Sequence, residues 1–173
     1  MDAAAEREFG DYVVARFGAL CRFAYLLCAD WHRAEDAVQT ALTKLYLRWD
    51  TLHDHGRIEP YLRRALVTSL IDEGRRGWFR KEAAHSQVPE LAELGDPSGA
   101  TADRLALLSA LAQVPPRQRA VLVLRYWEDQ SIEQVADLLN CSIGTVKSQT
   151  AHGLQRLREL LGDRFTSYVG EVR

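Results

Sequence analysis

Apolar residues recur along this chain at helical spacing and never alternate with polar ones for more than a few residues, so the pattern predicts helices and no sheet. A first helix is expected from about Phe9 to Cys28 or beyond. A second, after Asp30-Trp31-His32, covers roughly Arg33–Trp49. At about 100° per residue, its Ala34, Val38, Ala41, Leu42, Leu45 and Trp49 form one packing stripe, with Asp36, Gln39, Thr43 and Leu47 on the opposite side. Thr51–Glu59, with Gly56 and two histidines, reads as a loop. Pro60 suits the first turn of a third helix, where its missing N–H costs nothing; that helix runs toward Arg76, its end weakened by Gly74 and Gly77.

Between Lys81 and Asp103 no apolar periodicity lasts two turns, and Pro89, Gly95, Pro97 and Gly99 interrupt the chain. The segment reads as a linker holding one short helical piece around Pro89–Leu94. Beyond it, an apolar helix over about Asp103–Ala112 stops at Val114-Pro115-Pro116, and another spans about Pro116–Tyr126. Ser131-Ile132-Glu133-Gln134 fits a capping box opening a helix to Leu139. Asn140-Cys141-Ser142 is a tight turn, and Ser142 can cap a last helix toward Leu161. A short helix, a tight turn and a longer helix make a helix-turn-helix. The expected fold is all-α: two small helical domains, residues 9–80 and 104–165, joined by a flexible acidic linker over 81–103, the C-terminal domain being the helix-turn-helix.

Composition narrows the function classes. With 173 residues, 47% hydrophobic and 27% charged, the chain has the make-up of an ordinary soluble globular protein, not of a collagen or a disordered polyelectrolyte. No apolar run approaches the roughly 18 residues of a membrane helix, and the N-terminus lacks the basic and apolar regions of a signal peptide. No membrane insertion and a cytoplasmic location are therefore expected. Three cysteines, an odd number, give no disulfide framework. Residues 1–80 balance 12 basic against 12 acidic side chains, 81–103 carry one basic and five acidic, and 104–173 nine basic and seven acidic. A stand-alone DNA binder usually carries a basic excess; any nucleic-acid contact here relies on local patches and a partner.

Two places carry such patches. On the last helix, Ile143, Val146, Thr150, Leu154, Leu157 and Leu161 form the inward stripe. Ser148, His152, Gln155 and Glu159 point the other way, flanked by Lys147, Gln149 and Ala151. Ser, Lys and Gln can bond base edges or phosphates in a major groove. On the third helix, Tyr61, Arg64, Thr68 and Arg75 project to one side. Arg63, Arg76, Arg80 and Lys81 add charge nearby, and Trp78 and Phe79 add aromatic surface. Cations interleaved with aromatics suit single-stranded or opened DNA. Cys21, Cys28 and His32 lack a second ligand pair of zinc spacing, and His53-Asp54-His55 has no further pair to complete a site, so core packing is the preferred reading of the cysteines. No phosphate loop or nucleophile elbow is present, and neither metal, cofactor nor enzymatic activity is expected.

Ala34-Glu35-Asp36-Ala37-Val38-Gln39-Thr40-Ala41-Leu42 resembles the segment of bacterial sigma factors that docks on core RNA polymerase. Pro115-Pro116-Arg117-Gln118-Arg119-Ala120-Val121-Leu122 and Cys141-Ser142-Ile143-Gly144-Thr145-Val146-Lys147-Ser148 resemble their promoter-reading C-terminal domain. The two-domain layout without a middle domain is similar to the extracytoplasmic-function group. The resemblance covers about residues 9–161. It implies a dissociable initiation subunit that binds core RNA polymerase, directs it to promoter DNA and helps melt it, with a place for an anti-sigma protein.

By that resemblance Asp36, Gln39, Thr43 and Leu47 meet the polymerase. Tyr61, Arg63, Arg64, Thr68, Arg75 and Arg76 face the minus-10 element, and Arg125, Thr145, Lys147, Ser148, Gln149 and His152 the minus-35 element. The acidic linker runs through the polymerase interior toward the RNA exit channel. Members of the group commonly carry Asn at the position of Thr68 and Arg at those of Gln149 and His152, departures that bear on sequence preference. The competing reading is a free-standing helix-turn-helix regulator that binds an operator without polymerase; it has no use for an exposed Asp36/Gln39 face.

Overall fold

The computed structural model describes residues 2–52, 55–78 and 102–166. Every regular element among them is helical. The chain divides into two compact units, Met1–Asp72 and Glu73–Arg173.

In the first unit α1 spans Ala3–Cys28, beginning six residues before the expected start. The signal for the earlier start is Asp2, whose carboxylate accepts from the Ala4 and Ala5 N–H groups at 3.0 and 2.9 Å. Those two N–H groups hold its carboxyl below the usual carboxylate range. Only the C-terminal third is buried, Leu20, Cys21 and Phe23–Cys28 forming a nearly continuous apolar run. Ala29 ends the helix in the left-handed region, φ 55°, with its N–H bonded to the Tyr25 carbonyl at 2.7 Å.

Helix α2, Trp31–Tyr46, starts on Asp30, which accepts from the Arg33 N–H at 3.0 Å. The stripe Ala34, Val38, Ala41, Leu42 and Leu45 is buried as expected. The helix does not continue through Trp49: the chain turns at Leu47 and Arg48, and Trp49 opens a one-turn helix α3, Trp49–Leu52. The turn brings the buried Trp49 ring edge-on to Phe9 at 5.1 Å and close to Tyr12 at 5.6 Å, contacts with α1 that carry no local sequence signal. A 3-10 turn, His55–Arg57, leads into α4, Ile58–Trp78, so most of the expected Thr51–Glu59 loop is helical and α4 begins two residues before Pro60. Ile58, Leu62, Leu66, Val67, Leu70 and Ile71 of α4 are buried. Glu59 ties α4 to α1, pairing with Arg16 at 2.7 Å and accepting from the Tyr12 hydroxyl at 3.1 Å.

In the second unit α5, Ala102–Ala112, is followed by α6, Pro116–Leu122, and a π-helical turn, Val123–Trp127. Arg119 is the buried charged side chain among the described residues; its guanidinium donates to the Ala112 carbonyl at 3.1 Å, at the end of α5, where the helix dipole favours a cation. Helix α7, Ile132–Leu139, has the expected capping box: Ser131 Oγ accepts from the Gln134 N–H at 3.1 Å, and Gln134 Oε1 from the Ser131 N–H at 2.7 Å. It ends with Asn140 left-handed (φ 49°) and the Cys141 N–H on the Ala136 carbonyl, a Schellman closure. Ser142 then caps α8, Ile143–Leu161, through the Thr145 N–H at 3.0 Å. Ala110, Val114, Leu122, Leu157, Leu161 and Phe165 form one core cluster, and Val121, Leu124, Val135 and Val146 are also buried.

Two positions on α8 differ from expectation. Ile143, expected inward, is exposed because it opens the helix before α8 packs on its neighbours. Gly153, which no periodicity singled out, is buried: a Cβ there would lie 2.9 Å from Leu122 Cδ1 and 3.1 Å from its Cγ, so its bare backbone lets α8 approach α6. The Pro89–Leu94 piece of the linker and His53-Asp54 lie outside the described residues.

Removing the capping box tests how the helix-turn-helix is held. Ser131→Ala deletes one of its two reciprocal bonds and is expected to destabilise the chain by about 1 kcal/mol. A denaturant titration should show a lower midpoint with unchanged slope.

Candidate nucleic-acid interface

On α2, Asp36, Gln39 and Thr43 are exposed on the face opposite the buried stripe. The Thr43 hydroxyl donates to the Gln39 carbonyl at 2.8 Å. Leu47, just past the helix end, is 78% exposed, a large apolar side chain left in water beside two polar ones. The four residues of the expected partner face thus share the outer side of α2 and its end.

On α4, Arg64 and Thr68 are exposed and Tyr61 and Arg63 half-buried. The Arg48 guanidinium lies over the Tyr61 ring, 5.9 Å from its centroid. Arg75 and Arg76 belong to the last turns of α4, where the side chains, like those of Trp78 and His55, lie outside the described residues.

In the second unit Lys147, Ser148 and His152 are exposed along α8, with Thr145 and Gln149 half-buried beside them. The Ser148 hydroxyl donates back to the Thr145 carbonyl at 3.0 Å. His152 also lines a shallow groove of about 240 Å³ with Pro115, Gln118, Gln155, Arg156 and Glu159. Arg125, in the π-helical turn, donates to the Gln130 carbonyl immediately before Ser131, so part of this guanidinium holds the turn into α7. Sequence reasoning passed over Glu133. Its own N–H and the Ser131 side chain hold its carboxyl below the usual range, with Arg125 and Lys147 adding smaller attraction. Arg125 on the turn, Glu133 on α7 and Lys147 on α8 therefore share one electrostatic neighbourhood. The signal for this carboxylate in the sequence is its place in the first turn of α7, where the helix dipole favours an acid.

Cys21 and Cys28 are core residues and His32 is exposed. No group of three or more metal-capable side chains occurs among the described residues. Burial, with a smaller contribution from Glu35, pushes the Cys21 thiol up to about 11. Because the folded value exceeds the unfolded one, the stability this thiol contributes is present below pH 9 and lost as pH rises toward about 11. At pH 8, iodoacetamide is expected to modify half-buried Cys141 in the native chain and to reach all three cysteines only in denaturant. Mass spectrometry of the alkylated chain reads the outcome.

Residues 14–80 match the family model described as Sigma-70 region 2, and residues 104–157 match Sigma-70, region 4. The chain is 40% identical over 158 residues to the RNA polymerase sigma-E factor of Streptomyces coelicolor, covering 89% of this chain and 86% of that one. It is 32% identical over 142 residues to ECF RNA polymerase sigma factor SigL of Mycobacterium tuberculosis, 80% of each chain. The chain belongs to the extracytoplasmic-function sigma factors. The fold of this sigma factor is that of Bartonella quintana RpoE, solved in complex with the anti-sigma factor NepR (TM-score 0.64, 24% identity, 91% of this chain and 98% of that one). An all-α sigma factor that acts in transcription initiation is thereby established, and the free-standing regulator is set aside: such a protein has no need of a region 2. No helix among the described residues is long and apolar enough to cross a membrane.

Proposed function

We propose that this sigma factor, acting in the cytoplasm as an initiation subunit without catalysis of its own, docks on core RNA polymerase through Asp36, Gln39, Thr43 and Leu47. The observation that carries this reading is the outer face of α2, where two polar side chains and a threonine run up to a leucine 78% exposed to water. Tyr61, Arg63, Arg64, Thr68, Arg75 and Arg76 of α4 then meet the opened minus-10 element, as a ring among cations suits unpaired bases. Arg125, Lys147, Ser148 and His152, with Thr145 and Gln149 beside them, face the minus-35 element, and Arg125 also braces the turn into α7. The domain limits are 9–80 and 104–165, with 81–103 as the acidic linker. The Bartonella quintana neighbour is held by an anti-sigma factor; a partner of that class is proposed here too.

The near-even charge balance supports dependence on polymerase, since few cations remain to bind DNA unaided. A gel shift on promoter DNA tests it. A specific complex is expected with core polymerase and little or none without it. An equally tight specific complex in both lanes would remove the proposed dependence.

A further inference from the structure

Arg48 lies outside every motif read from the sequence, yet the fold pins its backbone firmly. The adjacent Trp49 is 2% exposed and packs on Phe9 and Tyr12. The Arg48 N–H donates to the Leu45 carbonyl at 2.9 Å, and the Arg48 carbonyl accepts from the Thr51 and Leu52 N–H groups at 3.0 Å each. The Thr51 hydroxyl adds a third bond to that carbonyl at 2.8 Å. From this fixed point the exposed side chain crosses to α4, and its guanidinium stands 5.9 Å from the centroid of the Tyr61 ring. That is within the range of cation–π attraction. Arg64 follows Tyr61 by one turn on the same helix and is also exposed. Folding thus brings Arg48 onto the Tyr61 ring from 13 positions earlier in the chain, on the helix that also carries the exposed Arg64.

A ring flanked by cations can hold a base by stacking while the cations take neighbouring phosphates. A guanidinium suits this because its planar face can rest on a ring while its N–H edge bonds phosphate oxygens. We propose that Arg48 is a further contact of the minus-10 surface, its guanidinium resting on the Tyr61 ring while its N–H edge binds a backbone phosphate of the opened strand. The inference rests on the assignment of Tyr61 and Arg64 to opened DNA. A purely structural Arg48 would only cover the ring.

The test uses polymerase holoenzyme carrying this sigma factor. Its probe is a fluorescein-labelled single strand taken from bubble DNA that the holoenzyme enriches from a random pool. Affinity is measured across salt for the native chain and for Arg48→Ala, Arg48→Lys and Tyr61→Ala. Removing one phosphate contact from a single strand should lower the log–log salt slope by about 0.7. Arg48→Ala is expected to weaken the probe about tenfold at low salt with that slope change, and Arg48→Lys to restore the slope but not all of the affinity. Association with core polymerase, measured separately because Leu47 is the adjacent residue, should stay unchanged. The proposal is overturned if Arg48→Ala leaves the slope intact, whether affinity holds or falls with the melting temperature, or if polymerase association is what falls. If Tyr61→Ala weakens binding while Arg48→Ala does not, Arg48 alone is misassigned; if neither does, the minus-10 assignment fails and takes this inference with it.

Discussion

The double substitution Asp36→Arg, Gln39→Ala is expected to end co-purification with core RNA polymerase while leaving the fold intact. Both side chains are exposed on the face of α2 opposite Ala34, Val38, Ala41, Leu42 and Leu45, so neither contributes to the core. Exposed substitutions of this kind usually change stability by less than about 0.5 kcal/mol. Binding responds differently, because a reversed charge at the centre of a docking face loses its partner and meets a like charge. A loss of at least about 2 kcal/mol, roughly 30-fold in affinity, is the scale of such positions. Pull-down of tagged sigma factor with core polymerase, beside a thermal melt, separates the two effects. Undiminished recovery of polymerase would show that α2 docks through another face.

Tyr61→Ala with Arg64→Ala is expected to cut run-off transcription from a duplex promoter severely, and to regain much of it on a template already opened at the minus-10 element. Loss of base stacking on one ring alone is worth about 1–3 kcal/mol, or about 5- to 150-fold. The rescue distinguishes a melting role from a structural one. Tyr61 is half-buried under Arg48 and Arg64 is exposed, whereas the packing of α4 rests on Ile58, Leu62, Leu66, Val67, Leu70 and Ile71. A pre-opened template that fails to restore transcription would return both residues to packing or docking.

Much of the candidate surface was legible before any tertiary contact was known. The stripe of α2 is buried residue for residue, and Asp36, Gln39, Thr43 and Leu47 emerge exposed. The Ser131 capping box and the Ser142 cap stand where the chain placed them. Less legible were the bond from Arg125 to the Gln130 carbonyl, which ties the π-helical turn to the start of α7, and the attraction of Glu133 to Arg125 and Lys147, which arises only when α7 and α8 are assembled.

The sequence by itself determined most of the helices, the Ser131 and Ser142 caps and the polar face of α2, because those depend on side chains within four residues of one another. It could also indicate the family, since the motifs are short continuous runs. Tertiary structure alone decided the break at Leu47 and Arg48, where no Gly or Pro interrupts the chain and the buried Trp49 ring meets Phe9 across the unit. It likewise decided that Glu59 binds Tyr12 and Arg16, that Gly153 admits α6 against α8, and that Arg48 rests on Tyr61. Each of these joins two elements distant in the chain, and the space or charge one offers the other is set by how both pack, which no local pattern encodes.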